Sequence, residues 1–338
     1  MKRESDSEKG WGLETRGKWA TVFFLNGIGD AVLYLPAVRA LADLFEGRLS
    51  IAFAPIKAAF LFESIHANKV PIEAWYKPPA APSFDAGMVA RAIGSTDIFV
   101  SLVNWESEDL AELVSRLRPS VSIGRGPLFQ HQLRWSPNRH TVDSTFDAVK
   151  VFAPSAVIED FWGLPPMPHL RRIDASVVRD AFPKCNETLA VHLDTKIGKT
   201  WSAARVAQML ERFLAGHPNT VAFLVGMECK LDSSLLDNER IVSCLGLPLA
   251  TTMCLLDYAD LFVGVDSCFL HAADLMRIPG VGLFAPRSAR QWGFRIGPGV
   301  SIEARHSVCA IQPELVASAL DTLFEQRSYS DYRYRVPL

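Results

Sequence analysis

Three short polar segments carry the residues with the clearest chemical potential. They are Asn26–Asp30 (NGIGD), Asp194–Trp201 (DTKIGKTW) and Asp266–His271 (DSCFLH), and each follows an apolar run. Such runs are typical of buried parallel strands. Loops at the carboxyl ends of parallel strands bind ligands, and the helix N-termini that follow them attract anions. We therefore expect ligand-binding residues in these three segments.

The first segment places two glycines and a carboxylate at the start of a helical pattern. The glycines let the backbone approach a ligand, but the spacing is not the GxGxxG of dinucleotide-binding proteins, which argues against a simple dehydrogenase. Asp30 can cap the helix, or it can act as a general base that takes the proton from an acceptor hydroxyl. Asn26 is a candidate on the acceptor side.

The second segment contains two lysines and a threonine immediately before a helical pattern. Lys199 can pair with a diphosphate, with Thr195, Lys196 and backbone N–H groups beside it. An ordinary exposed basic loop is the alternative interpretation.

The third segment opens a helix after the apolar run LFVGV. Asp266 can cap this helix, and Ser267 together with the first amides can hold a phosphate. His271 is either a ligand-binding residue or a buried histidine satisfied by its neighbours. Cys268 is more typical of a small buried residue than of a nucleophile.

An arginine-rich stretch without acidic residues runs from Leu113 to Val142. The planar guanidinium suits carboxylate or phosphate, so Arg134 and Arg139 are weak candidates for contact with an anionic acceptor. A solvated basic loop is the other interpretation.

The elements that must position these residues alternate between strand and helix in two series. The first series starts with a strand at Ala20–Leu25 and a helix at Ala31–Phe45, and the second with a strand at Thr188–Leu193. Further predicted strands are Leu49–Ala54, Asp97–Val103, Val121–Ile123, Val221–Val225, Leu261–Val265 and Gly280–Phe284; predicted helices are Phe84–Ile93, Ser107–Leu117 and Ser267–Met276.

One further helix of the second series has its apolar face at Val206, Met209, Leu210, Phe213 and Leu214. We expect Ser202 to cap its N-terminus and Gly216 its C-terminus. The alternation predicts two doubly wound α/β domains. We place a mobile leader at residues 1–18, an N-terminal domain at 19–165, a C-terminal domain at 166–325 and a tail at 326–338.

The composition excludes several classes of protein. The 338 residues include 35 basic and 37 acidic side chains, so the charge gives no reason to expect nucleic-acid binding. Six scattered cysteines form no CxxC pair, which predicts neither a structural metal site nor a disulfide framework. No signal peptide or long apolar span is visible. We expect a cytoplasmic protein, with peripheral contact at the inner face of the membrane left open.

Together the three segments resemble glycosyltransferase family 9, the ADP-heptose:lipopolysaccharide heptosyltransferases. The sequence GDAVLYLPAVRAL at Gly29–Leu41 is similar to the family's GD-x-x-x-x-LP opening, and Lys199–Trp201 to its K-x-W turn. The stretch VDSCFLHAA at Val265–Ala273 is similar to its V-D-T-G-x-x-H-x-A segment. Two residues depart from the pattern, because Cys268 and Ala285 stand where the family usually has glycine.

This resemblance implies a GT-B fold, in which two Rossmann-like domains flank an interdomain cleft. It makes 19–165 the acceptor-side domain and 166–325 the nucleotide-sugar-binding domain. It also implies inverting, metal-independent transfer of a sugar, with no cofactor, from a nucleotide-sugar donor (ADP-heptose favoured) to a saccharide or glycolipid acceptor. Asp30 would be the catalytic base. Donor-binding positions would be Thr195, Lys196, Lys199, Glu228, Asp266, Ser267 and His271. Two alternatives remain open: a GT-B tailoring enzyme with another donor or acceptor, and a non-catalytic protein that binds a nucleotide sugar.

Overall fold

The computed structural model describes residues 12–75, 82–165, 187–192, 199–227 and 237–327. The chain divides into two compact units, Met1–Pro165 and Pro166–Leu338. Within the described residues, no helix is both long enough and apolar enough to cross a membrane.

The first unit contains a parallel sheet of six described strands. The central strands are buried throughout, which explains why they appear in the sequence as uninterrupted apolar runs. In spatial order the sheet is β3-β2-β1-β4-β5-β6. The strands are β1 (Ala20–Phe24), β2 (Leu49–Phe53), β3 (Asn68–Pro71), β4 (Ile98–Ser101), β5 (Val121–Gly124) and β6 (His131–Gln132).

Helices of the first unit connect these strands and begin at defined caps. Asp85 accepts a hydrogen bond from the Met88 N–H at 2.7 Å, and Ser107 accepts one from the Leu110 N–H at 3.2 Å. Each cap satisfies an amide that has no partner inside its helix. The helices are α1 (Ile28–Leu44), α2 (Ala86–Ile93), α3 (Glu108–Leu117) and α4 (Thr141–Lys150).

The second unit contains another parallel sheet of six described strands, in the order β12-β11-β10-β7-β8-β9. Its strands are β7 (Glu187–His192), β8 (Thr220–Gly226), β9 (Ile241–Leu245), β10 (Leu261–Val265), β11 (Gly280–Phe284) and β12 (Gly299–Glu303). Its helices are α5 (Ala203–Gly216), α6 (Leu249–Leu255), α7 (Cys268–Leu275), α8 (Ala289–Trp292) and α9 (Pro313–Arg327).

Helix α5 confirms its predicted apolar face but corrects both predicted caps. Ser202 stands at the N-cap position, yet its side chain makes no capping hydrogen bond. Gly216 is the last residue of the helix rather than its cap, because the C-cap residue is His217. The five residues predicted for the apolar face are all buried: Val206, Met209, Leu210, Phe213 and Leu214.

Both sheets have the same doubly wound strand order. When the strands of each unit are numbered one to six along the chain, they lie side by side in the order 3-2-1-4-5-6. The direction of winding reverses between β1 and β4 in the first unit and between β7 and β10 in the second. Ligands of doubly wound sheets bind outside the carboxyl ends of the strands at this reversal. The loops after β1, β4, β7 and β10 are therefore the places to look for a site.

Candidate functional site

Lys199 and two residues from the segment after β10 meet at the strand reversal of the second unit. The Lys199 Nζ atom forms an ion pair with the Asp266 carboxylate. On the other side of that carboxylate, the His271 Nε2 atom lies 3.6 Å from Asp266 Oδ1. Asp266 and His271 are buried, whereas the Lys199 side chain is 43% exposed. The site thus presents an accessible ammonium group anchored to a buried carboxylate.

The start of α7 differs from the sequence prediction in one respect. Ser267, not Asp266, is the N-cap residue, and its Oγ atom accepts a hydrogen bond from the Leu270 N–H at 3.4 Å. Asp266 precedes the N-cap residue, and its carboxylate pairs with Lys199 instead of with a helix amide. The N-terminus of α7 and the ammonium group both favour negative charge, so this corner of the unit is suited to a phosphate group.

His271 and Cys268 also lie on α7. His271 is 3% exposed and also approaches the Trp292 ring, with 6.2 Å between ring centroids. Desolvation raises the pKa of the Cys268 thiol to about 12, although the residue keeps some exposed surface. The thiol is therefore neutral at physiological pH. It adds bulk at the beginning of the helix, where glycine was expected from the resemblance, but no negative charge that would repel a phosphate.

His192 is a residue of this region that the sequence analysis did not single out. It ends β7, is 5% exposed, and its Nδ1 atom lies 3.1 Å from Ser267 Oγ. Burial lowers its pKa to about 3, so the imidazole is neutral. The signal in the sequence was a histidine at the end of an apolar run, directly before a polar segment. The histidine was assigned to the predicted strand Thr188–Leu193 and was not considered as a site residue.

Asp30 lies in the first turn of α1 in the first unit. Its carboxylate Oδ2 accepts a hydrogen bond from the Gly27 N–H at 3.1 Å, so the helix-capping interpretation is realised. A carboxylate has about four lone-pair sites, which makes capping compatible with a role as base. Asn26, just before the helix, is 8% exposed, and its Oδ1 atom has no hydrogen-bond partner within the described chain.

The two arginines predicted on the acceptor side have different surroundings. The Arg139 guanidinium is paired with the Asp147 carboxylate, with 2.8 Å between Nη2 and Oδ1, and also donates to the Asp143 carbonyl. This hydrogen-bonded pair raises the pKa of Arg139 and occupies the planar fork that an acceptor anion would need. Arg134 is exposed.

Arg125, directly after β5, is a stronger candidate; it lies in the arginine-rich stretch Leu113–Val142 but was not singled out from the sequence. Its guanidinium stacks on Trp135, 4.6 Å from the ring centroid. Its Nη1 atom is buried without a hydrogen-bond partner among the described residues, and desolvation lowers its pKa. It also interacts electrostatically with Glu106 and with Tyr34, which stands one helical turn after Asp30 on α1. Arg125 is therefore near the Asp30 end of α1.

Three predicted donor-binding residues, Thr195, Lys196 and Glu228, lie outside the described residues. For the rest, the structure groups Lys199, Asp266, Ser267 and His271 at one corner of the second unit. Asp30 and Asn26 lie in the loop and first turn after β1 of the first unit.

Comparison with solved structures shows the same fold in glycosyltransferases. A family 9 glycosyl transferase from Veillonella parvula is similar with a TM-score of 0.75 and 16% identity, covering 93% of this chain and 99% of that one. The ADP-heptose lipopolysaccharide heptosyltransferase II of E. coli has a TM-score of 0.67 and 15% identity, covering 92% of this chain and 99% of that one. The E. coli heptosyltransferase WaaC with ADP has a TM-score of 0.64 and 16% identity, covering 90% of this chain and 99% of that one.

These likenesses confirm the predicted fold class, an α/β protein of two Rossmann-like domains of the GT-B type. By sequence alone, no family model and no curated protein matches the chain. At 15–16% identity the structural likeness establishes the fold, and the chemistry has to be argued from the residues.

Proposed function

We propose that this chain is a glycosyltransferase that moves a sugar from a nucleotide-diphosphate donor to a hydroxyl of a saccharide acceptor. The observation that carries the proposal is the meeting of Lys199, Asp266 and the N-terminus of α7 at the strand reversal of the second unit. Lys199 and Asp266 are 67 residues apart, yet they form one anion-binding corner. An inverting, metal-independent reaction fits a site in which an ammonium group and helix amides bear the charge of the leaving group.

The favoured donor is ADP-heptose. The solved structures of similar fold include a heptosyltransferase with ADP and one with an ADP-heptose analogue. In this proposal Lys199 and Ser267 bind the diphosphate, while Asp266 holds Lys199 in place and His271 packs behind Asp266. Thr195, Lys196 and Glu228 complete the donor site as predicted from the resemblance.

Asp30 is the proposed base. It takes the proton from the acceptor hydroxyl while that oxygen forms a bond to the anomeric carbon of the sugar. The bond from that carbon to the diphosphate breaks at the same time, and the nucleoside diphosphate leaves with both electrons of the bond. Attack from the face opposite the leaving group inverts the configuration at the anomeric carbon.

The proposed acceptor is a saccharide that carries a carboxylate or phosphate, such as the core of lipopolysaccharide. Arg125 supports this assignment because its guanidinium stacks on Trp135 while its buried Nη1 atom has no hydrogen-bond partner among the described residues. A buried donor group of this kind has a strong preference for an anionic partner. Asn26 is a second polar group near Asp30. A glycolipid acceptor would bring the protein to the cytoplasmic face of the membrane as a peripheral protein.

A second candidate function is a protein that binds a nucleotide sugar without transferring it. The specific observation in its favour is the Cys268 side chain at the first position of α7, where the resemblance leads one to expect glycine. A third is transfer from a donor other than ADP-heptose.

A binding screen with ADP-, GDP-, UDP- and dTDP-sugars, followed by a turnover assay with the tightest binder, separates the three. We expect ADP-heptose to bind most tightly and to be consumed in the presence of a truncated lipopolysaccharide that lacks heptose. If a sugar of a different nucleotide bound most tightly, that nucleotide sugar and not ADP-heptose would be the donor. Binding without turnover for every acceptor tried would favour the non-catalytic function.

A further inference from the structure

His192 is buried in the second unit beside Ser267, which belongs to the proposed donor site. Its neighbour in the sheet is Gly264 on β10, and a methyl group at position 264 would lie 3.1 Å from the His192 Cβ atom. The imidazole also packs against Phe269 of α7, with 4.8 Å between the ring centroids. These contacts fix the ring next to Ser267.

The imidazole is neutral because burial lowers its pKa to about 3. A neutral imidazole carries one proton, on either Nδ1 or Nε2, and the nitrogen without it is an acceptor. The Nδ1 atom faces Ser267 Oγ at 3.1 Å, so the two tautomers give the serine hydroxyl opposite roles.

Ser267 Oγ has two lone pairs and one proton. One lone pair accepts the hydrogen bond from the Leu270 N–H that caps α7. If Nδ1 carries no proton, the hydroxyl must donate to it, and no proton remains for a ligand. If Nδ1 carries the proton, it donates to the second lone pair, and the hydroxyl proton can be donated to an anion at the start of α7.

We propose that His192 is a positioning residue for the donor, which in its Nδ1–H tautomer turns the Ser267 hydroxyl proton toward the diphosphate. The resulting chain runs from Nδ1–H to Oγ, and from the Oγ proton to a phosphate oxygen. Each bond in such a chain strengthens the next. The inference rests on the proposed function, because it places a nucleoside diphosphate at the N-terminus of α7.

A double-mutant cycle with ADP as the probe tests the coupling. We expect His192→Leu and Ser267→Ala each to weaken ADP binding about tenfold, which is the lower end of the range for losing a hydrogen bond to a charged group. The double variant should be no weaker than Ser267→Ala alone. His192→Asn should bind ADP like the wild type, because the asparagine amide places an N–H donor near the position of Nδ1.

His217→Asn is the matched control. His217 lies in the same unit, where its Nε2 atom is 3.0 Å from Asp321 on α9, and we expect no change in ADP affinity. Effects of His192→Leu and Ser267→Ala that multiply in the double variant would overturn the proposal. So would equal losses in His192→Asn and His192→Leu, because packing alone would then explain the role of His192.

Nitrogen-15 NMR of labelled histidine in the wild-type protein provides a test that requires no variant to fold. With ADP bound, we expect the His192 signals of the Nδ1–H tautomer. The Nε2–H tautomer in that complex would contradict the proposal while leaving the proposed function intact. If wild-type protein bound neither ADP nor inorganic pyrophosphate, the donor site itself would be wrong, and the inference would fail with it.

Discussion

The ammonium group of Lys199 is paired with the buried carboxylate of Asp266, across the boundary between β7 and β10 where the sheet of the second unit reverses its winding. The ion pair leaves the Lys199 side chain accessible to a ligand but holds its ammonium group beside the Asp266 carboxylate. A diphosphate that binds at the start of α7 meets a positive group already held in place, so less ordering is needed on binding.

Removal of the Lys199 charge tests the assignment of the donor site. Lys199→Ala should weaken ADP binding by about tenfold to a hundredfold, because a charged hydrogen bond contributes roughly 1.5–3 kcal/mol. Isothermal titration calorimetry measures the effect. Lys150→Ala, at an exposed position on α4 of the first unit, is the control. Equal affinity in Lys199→Ala and wild type would show that the diphosphate binds elsewhere.

The role proposed for Arg125 is tested through the acceptor. Arg125→Ala should raise the KM for an anionic acceptor about tenfold and leave the affinity for the donor unchanged. Arg125→Lys should recover only part of this loss, because lysine lacks the planar fork and the stacking on Trp135. Arg116→Ala removes an arginine of the same basic stretch that is paired with Glu112 on the surface of α3, and should have no effect. If Arg125→Ala lowered the affinity for the donor and left the KM for the acceptor unchanged, the proposed role would be contradicted.

The buried His192 predicts part of the pH dependence of stability. Its pKa is about 3 in the folded chain against an ordinary value of 6.5. Between these values the unfolded chain binds a proton that the folded chain does not. The contribution of His192 to the free energy of unfolding is therefore fully present above about pH 6.5. It is lost as the pH falls toward 3, by up to about 1.4 kcal/mol per pH unit.

Urea unfolding at a series of pH values below 6.5 checks this sign. His192→Asn, which cannot take up the proton, should lose less stability on acidification than the wild type. His306→Asn removes an exposed histidine and should follow the wild type. If the His192→Asn and wild-type slopes were the same, the imidazole would not be held neutral by burial.

Gly264 tests the packing that positions His192. A Cβ atom at this position would lie 2.6 Å from Phe262 Cζ and 3.1 Å from His192 Cβ. Gly264→Ala should therefore destabilise the protein by about 1–3 kcal/mol, as overpacked cores do. Gly216→Ala, where a Cβ atom meets nothing within 4 Å, should be neutral or stabilising because alanine favours a helix. Thermal unfolding of both variants distinguishes these outcomes.

The buried strands were predictable from the sequence, whereas the strands at the edges were not. The predicted strands Leu261–Val265 and Gly280–Phe284 match β10 and β11 residue for residue, because each is a continuous buried run. The four edge strands, β3, β6, β9 and β12, were not predicted. None of these four strands has more than one buried residue, so none forms a continuous buried apolar run. Edge strands of this composition lack the apolar signal that reveals a central strand.

For the site, the sequence located the segments but not the contacts between side chains. The segment after β10 was correctly identified as the start of a helix, yet the partner of Asp266 is Lys199, a residue far away in the sequence. His192 and Arg125 were not singled out for the same reason. Their significance comes from Ser267 and Trp135, partners that only the folded chain brings to them.

The most direct test of the proposed transfer is a comparison of wild type and Asp30→Asn with ADP-heptose and a truncated lipopolysaccharide that lacks heptose. Asparagine keeps the size of the side chain but cannot accept the proton from the acceptor hydroxyl. We predict release of ADP and a heptosylated product with the wild type. With Asp30→Asn we predict a loss of turnover of at least about a hundredfold and ADP-heptose affinity within a factor of about two. Near-normal turnover in Asp30→Asn would contradict the account.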